Sequence, residues 1–242
     1  MLISGVTLTG TYIVDVGYVT DGLVLYYDPS NISSYPGSGT TVYDLSDNAR
    51  NGTMSNITYT SPYFDYNGTS SQVTIADNAL LEPGTGDWTM EAWFNTTAFK
   101  TGSAGVILGK FDPGGLSADV SYSIRTNNTG IVYAQIGNGT TVVNSSNYQT
   151  VLNTWVQVVY VWKNIATNSL ETYINGSSIG STSHSFSSIL NTSANLYIGS
   201  YNGGEYAQWF NGRIGITRLY NIALSDAQVL KNYNANRGLY GL

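Results

Sequence analysis

Apolar and polar positions alternate with a period of two along much of this chain. From Trp88 to Phe94 one face carries Trp88, Met90, Ala92 and Phe94, and the other carries Thr89, Glu91 and Trp93. That is the pattern of a half-buried strand, with the first face toward the core. Between Trp155 and Lys163 both rows are largely apolar, Val156, Val158, Tyr160 and Trp162 on one side and Trp155, Gln157, Val159, Val161 and Lys163 on the other. This strand is read as central and covered on its outer side as well, by a loop or a neighbouring subunit. The same patterning predicts strands at 23–27, 63–66, 72–75, 88–95, 105–110, 120–125, 131–136, 140–144, 155–163, 169–174, 196–200 and 212–220. Twelve strands make two sheets of about six. Asn-Gly pairs at 51, 67, 138, 175, 202 and 211 punctuate these runs, and Asn-Gly suits the two positive-φ positions of a type I′ hairpin.

One helix is expected. Ser225 followed three residues later by Gln228 forms a capping box that opens a helix through 226–235, with Asp226 favourably placed in its first turn. Ala227, Leu230 and Tyr233 are expected to face the closing strands, Gly238 to end the regular domain, and residues 238–242 to form a short tail. At the other end, Val6 to Asp15 alternates well enough for a strand, so residues 1–20 are read as an arm or extra strand that pairs with a sheet edge or exchanges with a neighbour.

The run Leu196-Tyr-Ile-Gly-Ser200, the segment from Phe210 to Tyr220 and the segment from Ala223 to Tyr233 follow one another as strand, Gly-rich loop, strand and capped helix. With Trp155, the run Glu171-Thr-Tyr-Ile-Asn-Gly176 and the run Trp88-Thr-Met-Glu-Ala-Trp93, the set resembles the laminin-G-like branch of the concanavalin A-like lectin/glucanase superfamily, over roughly residues 21–237. The resemblance implies an all-β, two-sheet antiparallel jelly-roll sandwich with a short C-terminal helix. It leaves the function open, because that branch supplies carbohydrate-binding modules, adhesion domains, enzyme accessories and tailed-phage virion proteins.

Composition narrows the choice. Charged residues are 10% of the 242, while Tyr alone contributes 20, and the net charge of -6 rests on nine Lys and Arg without a basic run. Such a chain is unsuited to nucleic acid, whose affinity depends on neutralising phosphates, and no apolar run reaches the roughly 18 residues of a spanning helix. With zero cysteines there are no disulfides and no thiolate metal sites. The start Met1-Leu-Ile-Ser-Gly lacks a basic stretch and a continuous apolar one, which predicts no secretory leader. Ten Asn-x-Ser/Thr sequons therefore carry no weight for glycosylation.

For chemistry, Gly176-Ser-Ser-Ile-Gly180 with His184 fits the spelling of a nucleophile elbow, but Ser178 leaves an Asn-Gly hairpin between two β-strands, whereas that motif needs a strand-to-helix turn. Glycan hydrolysis needs paired carboxyls about 5 to 10 Å apart, and the nearest cluster is Glu82, Asp87 and Glu91. The chain is accordingly read as non-enzymatic. No cofactor is required. Calcium enters through the resemblance, since laminin-G-like domains often hold one at the sheet rim; Asp44, Asp47, Asn48 and Asp112 could supply oxygens, or could make ordinary Asx-turns. For glycans the best segment is the loop 201–210, where Tyr201, Asn202, Glu205, Tyr206 and Trp209 combine aromatic faces with hydroxyl-binding groups. The same composition suits a protein interface.

The expected function is a structural or surface component of a phage-type virus particle, a capsid decoration or tail-associated protein that touches host surface glycans. Its ending, Asn232-Tyr-Asn-Ala-Asn-Arg-Gly238, resembles those of laminin-G-like proteins in tailed phages. Expected partners are a major capsid or tail protein and further copies of the chain as a homo-oligomer, with neither nucleic acid nor membrane, and the expected location is the virion surface, otherwise extracellular. A free carbohydrate-binding or adhesion protein of a microbial cell surface is the alternative, and a glycoside hydrolase a third.

Overall fold

The computed structural model describes residues 17–99, 104–111, 120–201 and 208–242. Seventeen strands among these residues form two antiparallel sheets packed as a jelly-roll sandwich, with one short C-terminal helix. The first sheet contains β1 (Leu23–Tyr27), β4 (Thr58–Thr60), β5 (Tyr63–Asn67), β7 (Trp88–Thr96), β13 (Trp155–Lys163), β14 (Ser169–Ile174), β15 (Ser177–Ser183) and β17 (Asn211–Tyr220). Its order is β15-β14-β13-β7-β17-β5-β4, with β1 also on β17. The second contains β2 (Thr41–Val42), β3 (Gly52–Ser55), β6 (Gln72–Ile75), β8 (Gly105–Phe111), β9 (Val120–Thr126), β10 (Ile131–Gly137), β11 (Val142–Asn144), β12 (Tyr148–Gln149) and β16 (Leu196–Ile198). They run β11-β10-β9-β8-β16-β6-β3-β2, with β12 beside β10. The sheets are thus eight- and nine-stranded instead of about six each. The extra strands, β2, β4 and β12 among them, are two or three residues long, too short for a period to register.

The core lies between the sheets as the alternation requires. Trp88, Met90, Ala92 and Phe94 of β7 and Val156, Val158, Tyr160 and Trp162 of β13 meet Tyr122, Ile124, Val132, Ala134 and Ile136 of the opposing sheet. Trp88 packs on Tyr122 at 5.4 Å between ring centroids, and the Tyr122 hydroxyl donates to the Leu81 carbonyl. Of the Asn-Gly pairs, only Asn175-Gly176 has positive φ at both residues, 49° and 77°, and it joins β14 to β15 as a type I′ turn. At 67 and 138 the Asn side chain instead accepts backbone N–H groups two and three residues ahead, an Asx-turn, and only the Gly is left-handed. Gly52 and Asn211-Gly212 lie within strands, and the pair at 202 falls outside the described residues.

The outer side of β13 and β7 is covered within the chain, by its C-terminal segment together with residues before β1. The helix α1 (Asp226–Asn236) carries the expected capping box, reciprocated by both Ser225 and Gln228. Its buried residues are Val229, Asn232 and Asn236, whereas Leu230 is exposed. Val229 joins Val19, Val159, Val161, Tyr173, Tyr220 and Leu224 in a second apolar cluster. The residues after α1 are packed too: Tyr240 is buried against Trp93, 4.6 Å between centroids, and accepts the Ile216 N–H, so 238–242 is no loose tail. Of the expected N-terminal arm, residues 1–16 lie outside the described residues, while Val19 donates its N–H to Asn232 and its carbonyl accepts the Tyr220 hydroxyl. No helix among the described residues is long and apolar enough to cross a membrane.

Two buried charges sit under this cover. Arg218 and Glu91 are cross-strand partners on β17 and β7, both fully buried, with Nη1 3.0 Å from Oε1. Glu91 also accepts from Gln157 at 2.9 Å and from Asn232 at 2.8 Å, while Arg218 donates to Asn236 at 2.8 Å and lies over the Tyr26 and Tyr18 rings at 4.4 and 4.9 Å. Burial works against the Arg218 charge, but Glu91, Tyr220 and Tyr26 beside it outweigh that and hold its pKa above the usual arginine range. Replacing Arg218 with Ala strands the Glu91 carboxylate, for an expected loss of about 3–5 kcal/mol in urea unfolding; the double variant with Glu91→Met is expected to recover part of it. Equal stability of wild type and Arg218→Ala would refute the account.

Candidate functional site

The sequence-predicted sugar loop divides. Asn202, Glu205 and Tyr206 lie outside the described residues. Tyr201 and Gln208 exchange two backbone hydrogen bonds, 3.1 and 3.3 Å, which close the neck of the loop. The Tyr201 side chain is not a free platform: it is 8% exposed and packs on Phe111 at 4.4 Å, in a cluster with Val106 and Val120. Trp209 is half-buried and forms an isolated bridge to Val106.

This cluster sits on the outer face of the nine-stranded sheet. Arg125 of β9 lies opposite Tyr133 of β10 and opposite Val106 of β8, so all three side chains share that face. Its guanidinium stands 5.3 Å from the Phe111 ring centroid, and the Phe111 ring occupies the space a Cβ would take at Gly109, so only glycine fits there. Burial lowers the pKa of Arg125, opposed by the neighbouring Tyr133 and Tyr201 hydroxyls and by a hydrogen bond to Tyr133; an arginine starts so high that it stays charged.

Beyond Tyr133 the face opens into a cleft of about 290 Å³ lined by Asn127, Ile131, Tyr133, Asn144, Ser145 and Asn147. The Asn127 carboxamide oxygen accepts from Thr129 N–H, Thr129 Oγ1 and Ile131 N–H at 2.8–2.9 Å, which fixes the orientation of the amide. Asn144 accepts from Gln135 Nε2 at 3.2 Å. Sequence reading missed this cleft, because its residues come from three separate turns and strands of unremarkable composition.

The catalytic candidates are dispersed. Glu91 is sealed under α1 by the partners already named, where no substrate reaches it. Asp87 caps the N–H groups of Asn164 and Ile165, and Glu82 is paired with Lys110 at 2.7 Å. Ser178 and His184 stand toward opposite ends of and just beyond β15, and His184 stacks on Trp162 at 3.5 Å. Five residues of extended chain from Ser178 to Ser183 span roughly 17 Å, far beyond hydrogen-bond reach.

A family model for the concanavalin A-like lectin/glucanases superfamily, Laminin_G_3, matches residues 67–230. The chain belongs to this family. The binding domain of Paraclostridial Mosquitocidal Protein 1 is similar in structure, with a TM-score of 0.69 at 15% identity over 92% of this chain and 55% of that one. So is botulinum neurotoxin type C, described as interacting with two ganglioside molecules, with a TM-score of 0.65 at 13% identity over 89% of this chain and 51% of that one. A Trypanosoma rangeli sialidase matches at a TM-score of 0.66 and 14% identity, over 91% of this chain and 34% of the enzyme. The chain therefore spans about half the length of the toxin chains and a third of the sialidase; at these identities the likeness concerns the fold. No curated protein matches it in sequence.

Of the calcium ligands that the laminin-G-like resemblance suggested, Asp47 is exposed and Asn48 donates its amide to the Leu23 and Val24 carbonyls. Asp44 accepts from the N–H groups of Tyr26, Ser46 and Arg50, the Asx-turn role; Asp112 is outside the described residues. Among the described residues no cluster of three or more acidic or His side chains could hold a metal. One oxygen cage does exist, and a lysine fills it. Lys110 Nζ, fully buried, lies 2.6 Å from Asp77, 2.7 Å from Glu82, 2.7 Å from the Thr192 carbonyl and 2.6 Å from the Ala194 carbonyl.

Removing that ammonium in Lys110→Met leaves Glu82 and two carbonyls without their cation, and the expected cost is about 3–5 kcal/mol by urea denaturation. Acid dependence gives a second check. The Lys110 hydrogen bond holds Asp77 below the usual carboxylate range, so its contribution is present above the unfolded pKa and is lost as pH falls through the lowered folded value. Burial raises Glu82, which binds its proton more readily folded than unfolded and so partly offsets that loss on acidification. Unfolding midpoints followed from pH 7 down to about 3 are expected to fall on the acid limb, and to fall less steeply in Lys110→Met; identical slopes would refute the assignment.

Proposed function

We propose that this laminin-G-like chain is a non-enzymatic glycan-recognition domain displayed on the surface of a phage-type virus particle, as a capsid decoration or tail-associated protein. The observation that carries the glycan reading is the polar cleft on the nine-stranded sheet. Its three Asn carboxamides and Tyr133 offer hydroxyl-binding groups, and Ile131 offers an apolar wall for sugar C–H surfaces. On the opposite sheet α1 and the residues before β1 cover the outer side of the central strands. Binding domains of toxins on this fold, one of them described as interacting with gangliosides, support the same reading. The particle reading rests on the resemblance of residues 232–238 to endings in tailed-phage proteins and on a weakly charged surface rich in Tyr, Asn, Thr and Ser. Display as a homo-oligomer would convert a weak single-site affinity into avidity. No cofactor is required, and the Lys110 ammonium supports independence from calcium.

A glycan array probed with the full chain is expected to give saturable binding that survives chelation. Asn147→Ala and Asn144→Ala, at exposed positions, are each expected to weaken it about 2- to 10-fold, the loss of one neutral hydrogen bond, without lowering thermal stability. Unchanged affinity in both would move the site elsewhere. Quantitative mass spectrometry of gradient-purified particles tests the setting. Near-stoichiometric copies indicate a capsid decoration and a few to tens a tail; absence favours a free carbohydrate-binding or adhesion protein of a microbial cell surface.

A further inference from the structure

We propose that the sugar taken by this cleft is an acidic one, a terminal residue bearing a carboxylate, with Arg125 as its charge partner behind Tyr133. This inference rests on the glycan reading above and sharpens it.

Arg125 differs from the other buried cations. Lys110 has Asp77 and Glu82, and Arg218 has Glu91. Arg50 donates to the Val24 carbonyl and has Asp44 nearby. Arg125 is 8% exposed and has no carboxylate partner among the described residues; its Nε, like those of Arg50 and Arg218, is buried without a hydrogen-bond acceptor. Its neighbours among the described residues are an aromatic face, Phe111, and two phenols, Tyr133 and Tyr201. A buried guanidinium served only by neutral groups is costly; an anion within reach would offset that cost and gain a short-range attraction little screened by salt.

The cleft wall in front of it is arranged in the same sense. Asn127 has its oxygen committed to three internal donors, which turns its Nδ2 outward. Asn144 has its oxygen on Gln135, which does the same. The Tyr133 hydroxyl lines the cleft, on the residue paired with Arg125 across β9 and β10. Three N–H and O–H groups thus face a cleft whose lining contains no Asp or Glu. Outward donors without a carboxylate among them favour a ligand rich in acceptors, and the cation behind them favours a negative one. A volume of about 290 Å³ is at the lower end for ligand sites and admits one sugar ring rather than a chain. All this holds against a net charge of -6, so the preference is local.

The test is calorimetric titration of the full chain with 3′-sialyllactose, digalacturonate and lactose, at low and at physiological salt. At least one acidic sugar is expected to bind about 10-fold or more tightly than lactose. Arg125→Met is expected to abolish that ratio. Because this variant changes a buried position, Asn147→Asp provides an independent arm: it places a carboxylate on an exposed part of the lining and is expected to reduce the ratio about 10-fold. Tyr133→Phe, which keeps the ring and removes the O–H, is expected to reduce it less. Equal affinity for lactose and both acidic sugars overturns the acidic assignment and leaves the glycan reading standing. Binding of none overturns both, and an unchanged ratio in Asn147→Asp removes the charge from this cleft.

Discussion

The pair Glu91–Arg218 is the interaction on which the architecture turns. Each charge is taken wholly out of water, at a cost that Coulomb attraction alone does not reliably offset. What offsets it is the surrounding set of groups: Gln157 from β13, Asn232 and Asn236 from α1, and the rings of Tyr18 and Tyr26. These come from four different parts of the chain, so the pair is satisfied only when the helix and the residues before β1 are in place. Asn232 makes the dependence explicit, since it serves Glu91, Tyr220 and the Val19 N–H together. Besides these polar contacts the helix is held by Val229 in the second apolar cluster and by Tyr233, stacked on Trp93 at 5.7 Å.

From this follows the asymmetry of the two sheets. The eight-stranded sheet has apolar and ionic layers on both sides and is internal in all but name, whereas the nine-stranded sheet keeps an outer face with a cleft. A sheet buried on both sides reads as a continuous apolar run, which is why β13 lacks clean alternation and why every residue of β7 is buried. A lectin-like sandwich thus covers the middle of one sheet with its own C-terminus and leaves a cleft on the other. The Lys110 cage fits the same economy, tying the segments around Asp77, Glu82 and Thr192 to β8 without an external ion.

The frame was legible where residues repeat a period or carry local turn chemistry. The inward row of β7, both rows of β13, and the Ser225–Gln228 capping box follow from short-range rules that tertiary packing did not override. The helix face was legible in part: Tyr233 packs on Trp93 as expected, but elsewhere burial follows hydrogen-bond partners, not hydrophobicity, so Asn232 and Asn236 go in while Leu230 stays out. For the same reason Glu91 looked like a catalytic candidate, since its partner Arg218 is 127 residues away. Of the sugar loop read from the sequence, only Tyr201 and Trp209 lie among the described residues. Tyr201 has the right chemistry for a sugar platform, yet it is consumed by Phe111, while Asn127, Tyr133, Asn144 and Asn147 meet only because β10 pairs with both β9 and β11.

The Asn residues of the cleft explain how such a surface arises from a chain so poor in charge. An Asx-turn needs only the carboxamide oxygen, and once that oxygen is committed to backbone N–H groups the amide nitrogen has a fixed direction. Asn127 does both jobs at once, opening the β9–β10 connection and holding a donor toward the cleft. A Lys or Arg at the same position would present donors on a long, mobile stem and lose rotamer freedom on binding; an Asp would complete the turn but present only negative charge. Preorganised neutral donors over one buried guanidinium therefore give direction without a mobile charge at the surface, which matches a chain with 10% charged residues. On this view the abundance of Asn in the loops is set first by turn geometry, and recognition is built from the half of each side chain that the turn leaves over.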